Sequence, residues 1–199
     1  GTASYAGLVA KYWFERIARL PTEVDIASEF RYREAPLTPN GLSIVISQSG
    51  ETADTLASLR YSKSQGQHTL ALVNVPESTI AREADVALRT FAGPEIGVAS
   101  TKAFTCQLAA LACLALLAAK QRGQLSKALE QELVGALVEA PRHMSEILKQ
   151  EKHIAGVARE IVLMVKSRSA AMLGKFGHRG KRGVVEAILG QAGEDRIDE

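Results

Sequence analysis

Apolar residues along this chain follow two alternating patterns, short continuous runs and longer stretches with helical spacing. The runs at residues 42–47 and 68–75 are rich in β-branched and aliphatic side chains, which is typical of strands buried on both faces of a parallel sheet. Residues 85–90 indicate a third strand. Because these strands alternate with helical segments, we predict an α/β fold, a three-layer αβα sandwich around a parallel sheet.

Several segments carry apolar residues three and four positions apart, as one face of a helix requires. They are residues 6–20, 52–65, 78–84 and 102–120. Residues 125–164 predict two further helices with polar faces, broken near Pro141. Residues 24–27 are a short apolar segment and residues 29–34 a charged aromatic one, to which we assign neither helix nor strand.

The last part of the chain lacks a regular pattern. From residue 165 onward, glycines and basic residues are frequent, and only residues 170–173 and 184–189 indicate short elements. The basic residues within 175–182 fit a solvated, poorly folded end better than a nucleic-acid site. We therefore divide the chain into one domain, residues 1–160, and a divergent, partly disordered tail, residues 161–199.

Length, composition and charge limit the classes of protein that this chain can represent. Its 199 residues suit one domain or slightly more, and a hydrophobic content of 46% is enough to build a core. The formal net charge of +2 is too balanced to attract nucleic acid or an anionic membrane. We expect neither partner, and any anion must be bound by local groups.

Cysteine usage and hydropathy indicate a soluble, cytoplasmic protein. Cys106 and Cys113 lie on one predicted helix, about 10 Å apart along its axis, which is too far for a disulfide. The longest apolar run, residues 108–119, is shorter than the span of about 20 residues that a bilayer requires. His68 begins a predicted strand, and His143 and His153 lie on polar helical faces, so we expect no metal and no cofactor.

A polar loop joins the first predicted strand to the next helix. Its hydroxyl and amide side chains belong to Ser47, Gln48, Ser49 and Thr52, with Gly50 among them. At this edge of a parallel sheet, free main-chain N–H groups and a helix dipole hold an anion without a cationic side chain. The loop has no Walker A lysine and no dinucleotide-type glycine spacing, which favours a sugar or metabolite phosphate. The alternative is that Ser49 only caps the helix.

Two further loops lead into helices in a similar way. Residues 93–102 place Ser100 at the start of a long helix, and the opening of the chain places Thr2 and Ser4 before the first helix. Small residues in these loops would let a ligand approach the main chain closely. Taken alone, residues 93–102 are better explained as a flexible connector with a helix cap.

Three motifs together resemble one known family. They are GTASYAG at residues 1–7, ISQSGETADTLASLR at residues 46–60 and GPEIGVASTKAFTCQL at residues 93–108. These motifs closely resemble the isomerase domain of the glucosamine-6-phosphate synthases, the isomerising glutamine:fructose-6-phosphate aminotransferases, and the similarity extends to about residue 160. The resemblance implies a flavodoxin-like sugar isomerase (SIS) fold with a parallel five-stranded sheet, usually doubled and dimeric.

The resemblance also implies roles for individual residues. In this family the loop after the strand holds the phosphate of fructose 6-phosphate or glucosamine 6-phosphate, a role that falls here on Ser47, Gln48, Ser49 and Thr52. The later loop implies sugar contacts for Val98 and Ser100, and the opening loop adds Thr2 and Ser4. The expected partners are a phosphorylated hexose and a second copy of the chain, in amino sugar biosynthesis.

Other parts of the family have no match in this sequence. The family's first strand directly precedes residue 1, so we expect the sheet to lack it. The glutaminase domain and the glutamate, histidine and lysine that serve isomerisation are also unmatched, and we expect no turnover by this chain alone. Two alternatives stay open, namely a non-catalytic module that senses a phosphosugar and an inactive truncated remnant.

Overall fold

The computed structural model describes residues 1–95 and 100–173. Contacts divide the chain into two compact units, residues 1–137 and residues 138 onward. The elements in chain order are α1 (Thr2–Arg16), α2 (Ala27–Arg33), β1 (Leu42–Ser47), α3 (Ala53–Ser64), β2 (His68–Val73), α4 (Thr79–Glu83), β3 (Val86–Arg89), α5 (Lys102–Gln121), α6 (Lys127–Leu148) and α7 (Glu151–Leu173).

The three strands form a parallel sheet in the order β1-β2-β3. Ser47 pairs with Val73, and Val73 pairs with Arg89, so the three strands end at the same level. The predicted strands are confirmed, although β2 stops at Val73 and β3 is shorter than residues 85–90. The described residues thus form three of the five strands that the resemblance implies.

Helices cover both faces of the sheet. Leu72 packs in one apolar cluster with α1 and α5, whereas its neighbours Ala71 and Val73 pack in a second cluster with residues of α3 and α4. Successive residues of a strand point to opposite faces, so a strand that is apolar at every position can serve both clusters. This arrangement confirms the predicted α/β fold with a parallel sheet.

Local contacts explain two differences from the predicted helices. Helix α1 begins at Thr2 and ends at Arg16, because Arg19 adopts a left-handed φ of 55° and the chain turns back at Leu20, whose N–H donates to Phe14 O. The charged aromatic stretch, to which we assigned no element, forms most of α2. Arg31 of α2 pairs with Asp54 of α3 at 2.7 Å.

The predicted break near Pro141 is wrong. Pro141 lies inside α6, and the chain turns only at Lys149 and Gln150 before α7 begins. A proline removes one main-chain hydrogen bond, but the helix continues here, and Arg142 pairs with Glu139 across the site at 2.6 Å. Helix α7 extends to Leu173, into the predicted tail, whereas the predicted short element at residues 184–189 lies outside the described residues.

Helix α5 is long and apolar enough to cross a bilayer by length and composition. In the structure one face of it is buried in the first unit, and its apolar members pack with α1 and the sheet. The buried residues of this face are Ala103, Gln107, Leu111, Ala115, Leu116 and Ala119. This burial is what the core helix of an α/β domain shows.

The amino edge of the sheet contains a hydrogen-bonded carboxylate. Asp85 Oδ2 accepts from Thr69 N at 2.8 Å and from Thr69 Oγ1 at 2.9 Å, and Lys63 Nζ lies 3.1 Å from Oδ1. The bond from the Thr69 main chain, followed by Lys63 and the Thr69 hydroxyl, lowers the pKa of Asp85 from 3.8 to about 2. The folded state therefore favours the ionised form, which stabilises it above pH 3.8.

We predict that Asp85→Asn weakens the acid dependence of folding. The stabilisation by the ionised carboxylate is lost as the pH falls through about 2, so the variant should lose less stability than the wild type between about pH 5 and about pH 2. Urea unfolding at a series of pH values measures this difference. Glu23→Gln, whose side chain is 99% exposed, is the control. Parallel curves for the wild type and Asp85→Asn would contradict the assignment.

Candidate functional site

The loop after β1 brings two of the predicted side chains into contact. Ser47 is the last residue of β1 and is only 3% exposed, and its Oγ lies 3.0 Å from Thr52 Oγ1. Ser47 Oγ also accepts a hydrogen bond from Gly50 N at 3.0 Å. Whichever hydroxyl donates within the pair, one hydroxyl proton remains that the pair does not use, and it can be donated to an oxyanion.

Ser49 lies at the surface of this loop and does not cap the helix that follows. Ser49 is exposed and its Oγ accepts from Glu51 N at 3.2 Å, while the cap residue of α3 is Thr52, without a side-chain cap bond. The interpretation of Ser49 as the helix cap is therefore wrong. The first-turn N–H groups of α3 have no side-chain acceptor in the described part of the chain, and together with the helix dipole they are suited to an anion.

Gly50 lets this loop pack tightly against the next one. Its φ is +68°, and a Cβ at this position would lie 1.9 Å from Ser78 Oγ. Gly50 O also accepts from Ile80 N at 3.0 Å, which joins the loop to α4. Only glycine meets both the steric and the dihedral requirement.

Two carboxylates lie next to the loop, and each has another partner. Glu51 Oε1 accepts from Thr79 N at 2.7 Å, a bond that lowers the pKa of Glu51. Asp54, in the first turn of α3, is paired with Arg31. Both negative charges are thereby engaged outside the Ser47 and Thr52 pair.

The starts of α1 and α3 lie at the same edge of the sheet. A Cβ on Gly7 would lie 3.8 Å from Ile46 Cδ1, so the first half of α1 is beside the carboxyl end of β1. Thr2 and Ser4 are near this edge and half-buried, but they lie in the first turn of α1 and not in a loop before it, so the prediction of an opening loop at these residues is wrong. No hydrogen bond joins them to the loop after β1 within the described residues.

Helix α5 runs parallel to α1, since Arg122 Nε donates to Ala18 O at 3.0 Å near the end of both helices. Ser100, just before α5, has a buried hydroxyl without a hydrogen-bond partner among the described residues. A buried hydroxyl usually has a partner, so this one has the capacity for a bond to a group outside the described residues. The cap of α5 comes from Glu95, whose Oε2 accepts from Ala103 N at 3.1 Å. Val98 lies outside the described residues.

The sequence motifs did not predict a role in the site for Asn74, which directly follows β2. Its N–H donates to Gln48 O at 3.1 Å, its Oδ1 accepts from Ala92 N at 2.9 Å, and its Nδ2 donates to Gly93 O at 2.7 Å. An asparagine directly after a buried strand is the only sequence signal, and many turns share it. The contacts involve residues far apart in sequence.

A cavity of about 420 Å³ lies where the three strands end. It is lined by Gln48, Asn74, Val75, Pro76, Arg89, Phe91, Gly93 and Pro94. It is widely open to solvent, and of the predicted site residues that the structure describes only Gln48 lines it. No group of three metal-ligating side chains occurs within the part of the chain that the structure describes.

Comparisons with known proteins agree with this geometry. Over 175 residues the chain is 66% identical to a glutamine–fructose-6-phosphate aminotransferase [isomerizing] of Bradyrhizobium diazoefficiens, and the match covers 88% of this chain and 28% of that relative. The chain thus spans just over a quarter of the relative's length. These values confirm the resemblance that the motifs indicated.

Solved structures show the same fold. The C-terminal domain of glucosamine-fructose-6-phosphate aminotransferase from Francisella tularensis matches with a TM-score of 0.75 and 46% identity, over 77% of this chain and 44% of that one. A glucosamine-6-phosphate deaminase from Thermotoga maritima matches with a TM-score of 0.57 and 29% identity, over 68% and 41%. Residues 1–117, which include the loop after β1 and the start of α5, match the SIS domain, and the chain belongs to the SIS domain family.

Proposed function

We propose that this chain is the sugar-phosphate-binding part of the isomerase domain of a glutamine:fructose-6-phosphate aminotransferase, acting in amino sugar biosynthesis. The proposed SIS domain comprises residues 1–160, followed by a divergent tail at residues 161–199. The observation that carries the proposal is the contact between Ser47 and Thr52 in front of a helix without a side-chain cap. The 66% identical relative is named for this activity.

The phosphate of fructose 6-phosphate or glucosamine 6-phosphate would bind at the start of α3. There it would accept hydrogen bonds from the first-turn N–H groups and from the hydroxyl proton that the Ser47 and Thr52 pair leaves unused. Gln48 and Ser49 complete the proposed phosphate-binding set. No cationic side chain is needed, because the helix dipole and oriented N–H groups stabilise the negative charge.

The sugar itself would contact the loop that precedes α5. The buried Ser100 hydroxyl has no partner among the described residues, which supports this role, and the family motif adds Val98. Thr2 and Ser4, at the same edge of the sheet, are further candidates. We propose that the protein is a cytoplasmic homodimer, and the high identity to an aminotransferase favours this function over a phosphosugar-sensing module.

We predict that Ser47→Ala and Thr52→Val each weaken the binding of glucosamine 6-phosphate roughly 10- to 100-fold. Each change removes one partner of a hydrogen bond next to a charged ligand, which costs about 1.5–3 kcal/mol. Isothermal titration calorimetry and the ligand-induced rise in Tm measure the effect. Ser43→Ala, at the other end of β1, is the matched control, since Ser43 bonds only to Gln67 among the described residues.

The wild type and Ser43→Ala should be stabilised by the ligand to the same extent. Equal stabilisation of the wild type and both loop variants would refute the proposed phosphate site. A wild-type chain that shows no cooperative melting transition would instead support the inactive remnant.

We further predict that the purified 199-residue chain converts fructose 6-phosphate and glutamine to glucosamine 6-phosphate at no measurable rate. The acid and base residues that the resemblance implies for isomerisation have no counterpart in this sequence, and proton transfer by such groups typically contributes 10²- to 10⁴-fold to a rate. A coupled assay for glucosamine 6-phosphate measures the rate. Detectable turnover that Ser47→Ala abolishes would overturn this prediction.

A further inference from the structure

The residue after the central strand connects all three loops at the carboxyl edge of the sheet. The main-chain N–H of Asn74 donates to Gln48 O, in the loop after β1, at 3.1 Å. Its side chain bonds to the loop after β3, where Oδ1 accepts from Ala92 N and Thr90 Oγ1 at 2.9 and 3.2 Å and Nδ2 donates to Gly93 O at 2.7 Å. We propose that Asn74 is a positioning residue that sets the distance between the phosphate-binding loop and residues 90–93, which precede the proposed sugar-binding residues. This inference rests on the proposed function.

The hydrogen bonds of Asn74 exclude a direct role in ligand binding for its side-chain oxygen. Oδ1 accepts two bonds, which is its full capacity. All three side-chain bonds go to the loop after β3, so the side chain acts on the ligand mainly through the loop it holds, although one Nδ2 hydrogen is not used by these bonds. That loop leads from residue 90 to Ser100, whose buried hydroxyl has no partner among the described residues.

The bonds of Asn74 also hold an unfavourable main-chain conformation. Phe91 has a φ of 54°, in the left-handed region that a bulky residue rarely adopts, and its ring is 77% exposed. Thr90 and Ala92, the residues on either side of Phe91, both donate to Asn74 Oδ1. Without these bonds residues 90–93 would relax, and their distance from the phosphate-binding loop would no longer be fixed.

The phosphate-binding loop has its own supports, so the two loops can be separated experimentally. Gly50 O accepts from Ile80 N, Glu51 Oε1 accepts from Thr79 N, and the main-chain bond from Asn74 to Gln48 remains in any substitution except proline. A change in the Asn74 side chain should therefore leave the affinity for inorganic phosphate unchanged. It should lower the affinity for fructose 6-phosphate, which needs both loops.

The test compares the Kd values of inorganic phosphate and fructose 6-phosphate by isothermal titration calorimetry on the full chain. In Asn74→Ala we expect the affinity for fructose 6-phosphate to fall about tenfold, because one or two hydrogen bonds to the sugar lose their alignment. The affinity for inorganic phosphate should stay within about twofold of the wild-type value. Asn74→Asp keeps both acceptor bonds but replaces the bond to Gly93 O with repulsion and adds a negative charge, so it should weaken the binding of both ligands, and of fructose 6-phosphate more. If Asn74→Ala does not fold, Asn74→Asp and Thr90→Val provide the comparison.

Thr69→Val is the matched control for general destabilisation. It removes the hydroxyl contacts to Asp85 at the opposite end of the same strand, so it should lower Tm without changing the ratio of the two affinities. An unchanged ratio in the Asn74 variants, or an equal change in Thr69→Val, would overturn the inference while leaving the proposed function intact. A wild type that binds neither ligand would refute the proposed function and the inference with it.

Discussion

The site depends on how the hydroxyl of Ser47 is satisfied. A buried hydroxyl at the end of a strand is unfavourable unless it is hydrogen-bonded, and this one bonds to Gly50 N and Thr52 Oγ1 within its own loop. The two bonds curl the loop back over the end of β1 and fix the point at which α3 begins. The first-turn N–H groups of α3 thereby receive no side-chain cap. A contact that stabilises the loop also leaves the donors that an anion requires.

The register of the sheet aligns this loop with the loops that follow the neighbouring strands. Ser47, Val73 and Arg89 are paired across the three strands, so the residues that follow them start at the same level. The central strand is anchored by Ala71, Leu72 and Val73, all with 0% exposure. Burial on both faces makes β2 the most firmly held strand. Asn74, directly after it, is therefore a stable point from which to hold the loops on either side.

The parts of the fold that could be predicted are those that depend on neighbouring residues. The run at residues 42–47 matches β1 because continuous aliphatic side chains are typical of a strand in a parallel sheet, although Leu42 at its start is exposed. Helix α2 was missed because Phe30 packs on the ring of Tyr61, 5.8 Å away, a contact with no local pattern. The break at Pro141 was wrong because a long helix can lose one hydrogen bond and continue. Ser47 and Thr52 lie on one turn, and Glu95 also acts locally on Ala103, whereas Asn74 depends on contacts between different loops, which no local sequence pattern predicts.

The charges around the loop explain why an uncharged site is workable here. Asp54 lies in the first turn of α3, where the helix dipole favours a negative charge and a bound phosphate would compete with it. Arg31 lies 2.7 Å from this carboxylate and balances its charge. Glu51 is held by Thr79 N, and the lowered pKa of Glu51 reflects that bond. Each carboxylate already has a partner within the protein. The proposed affinity for the ligand therefore comes from oriented N–H and O–H donors rather than from net charge. Such donors read the geometry of a phosphate, and their contribution is screened by salt far less than that of exposed ion pairs.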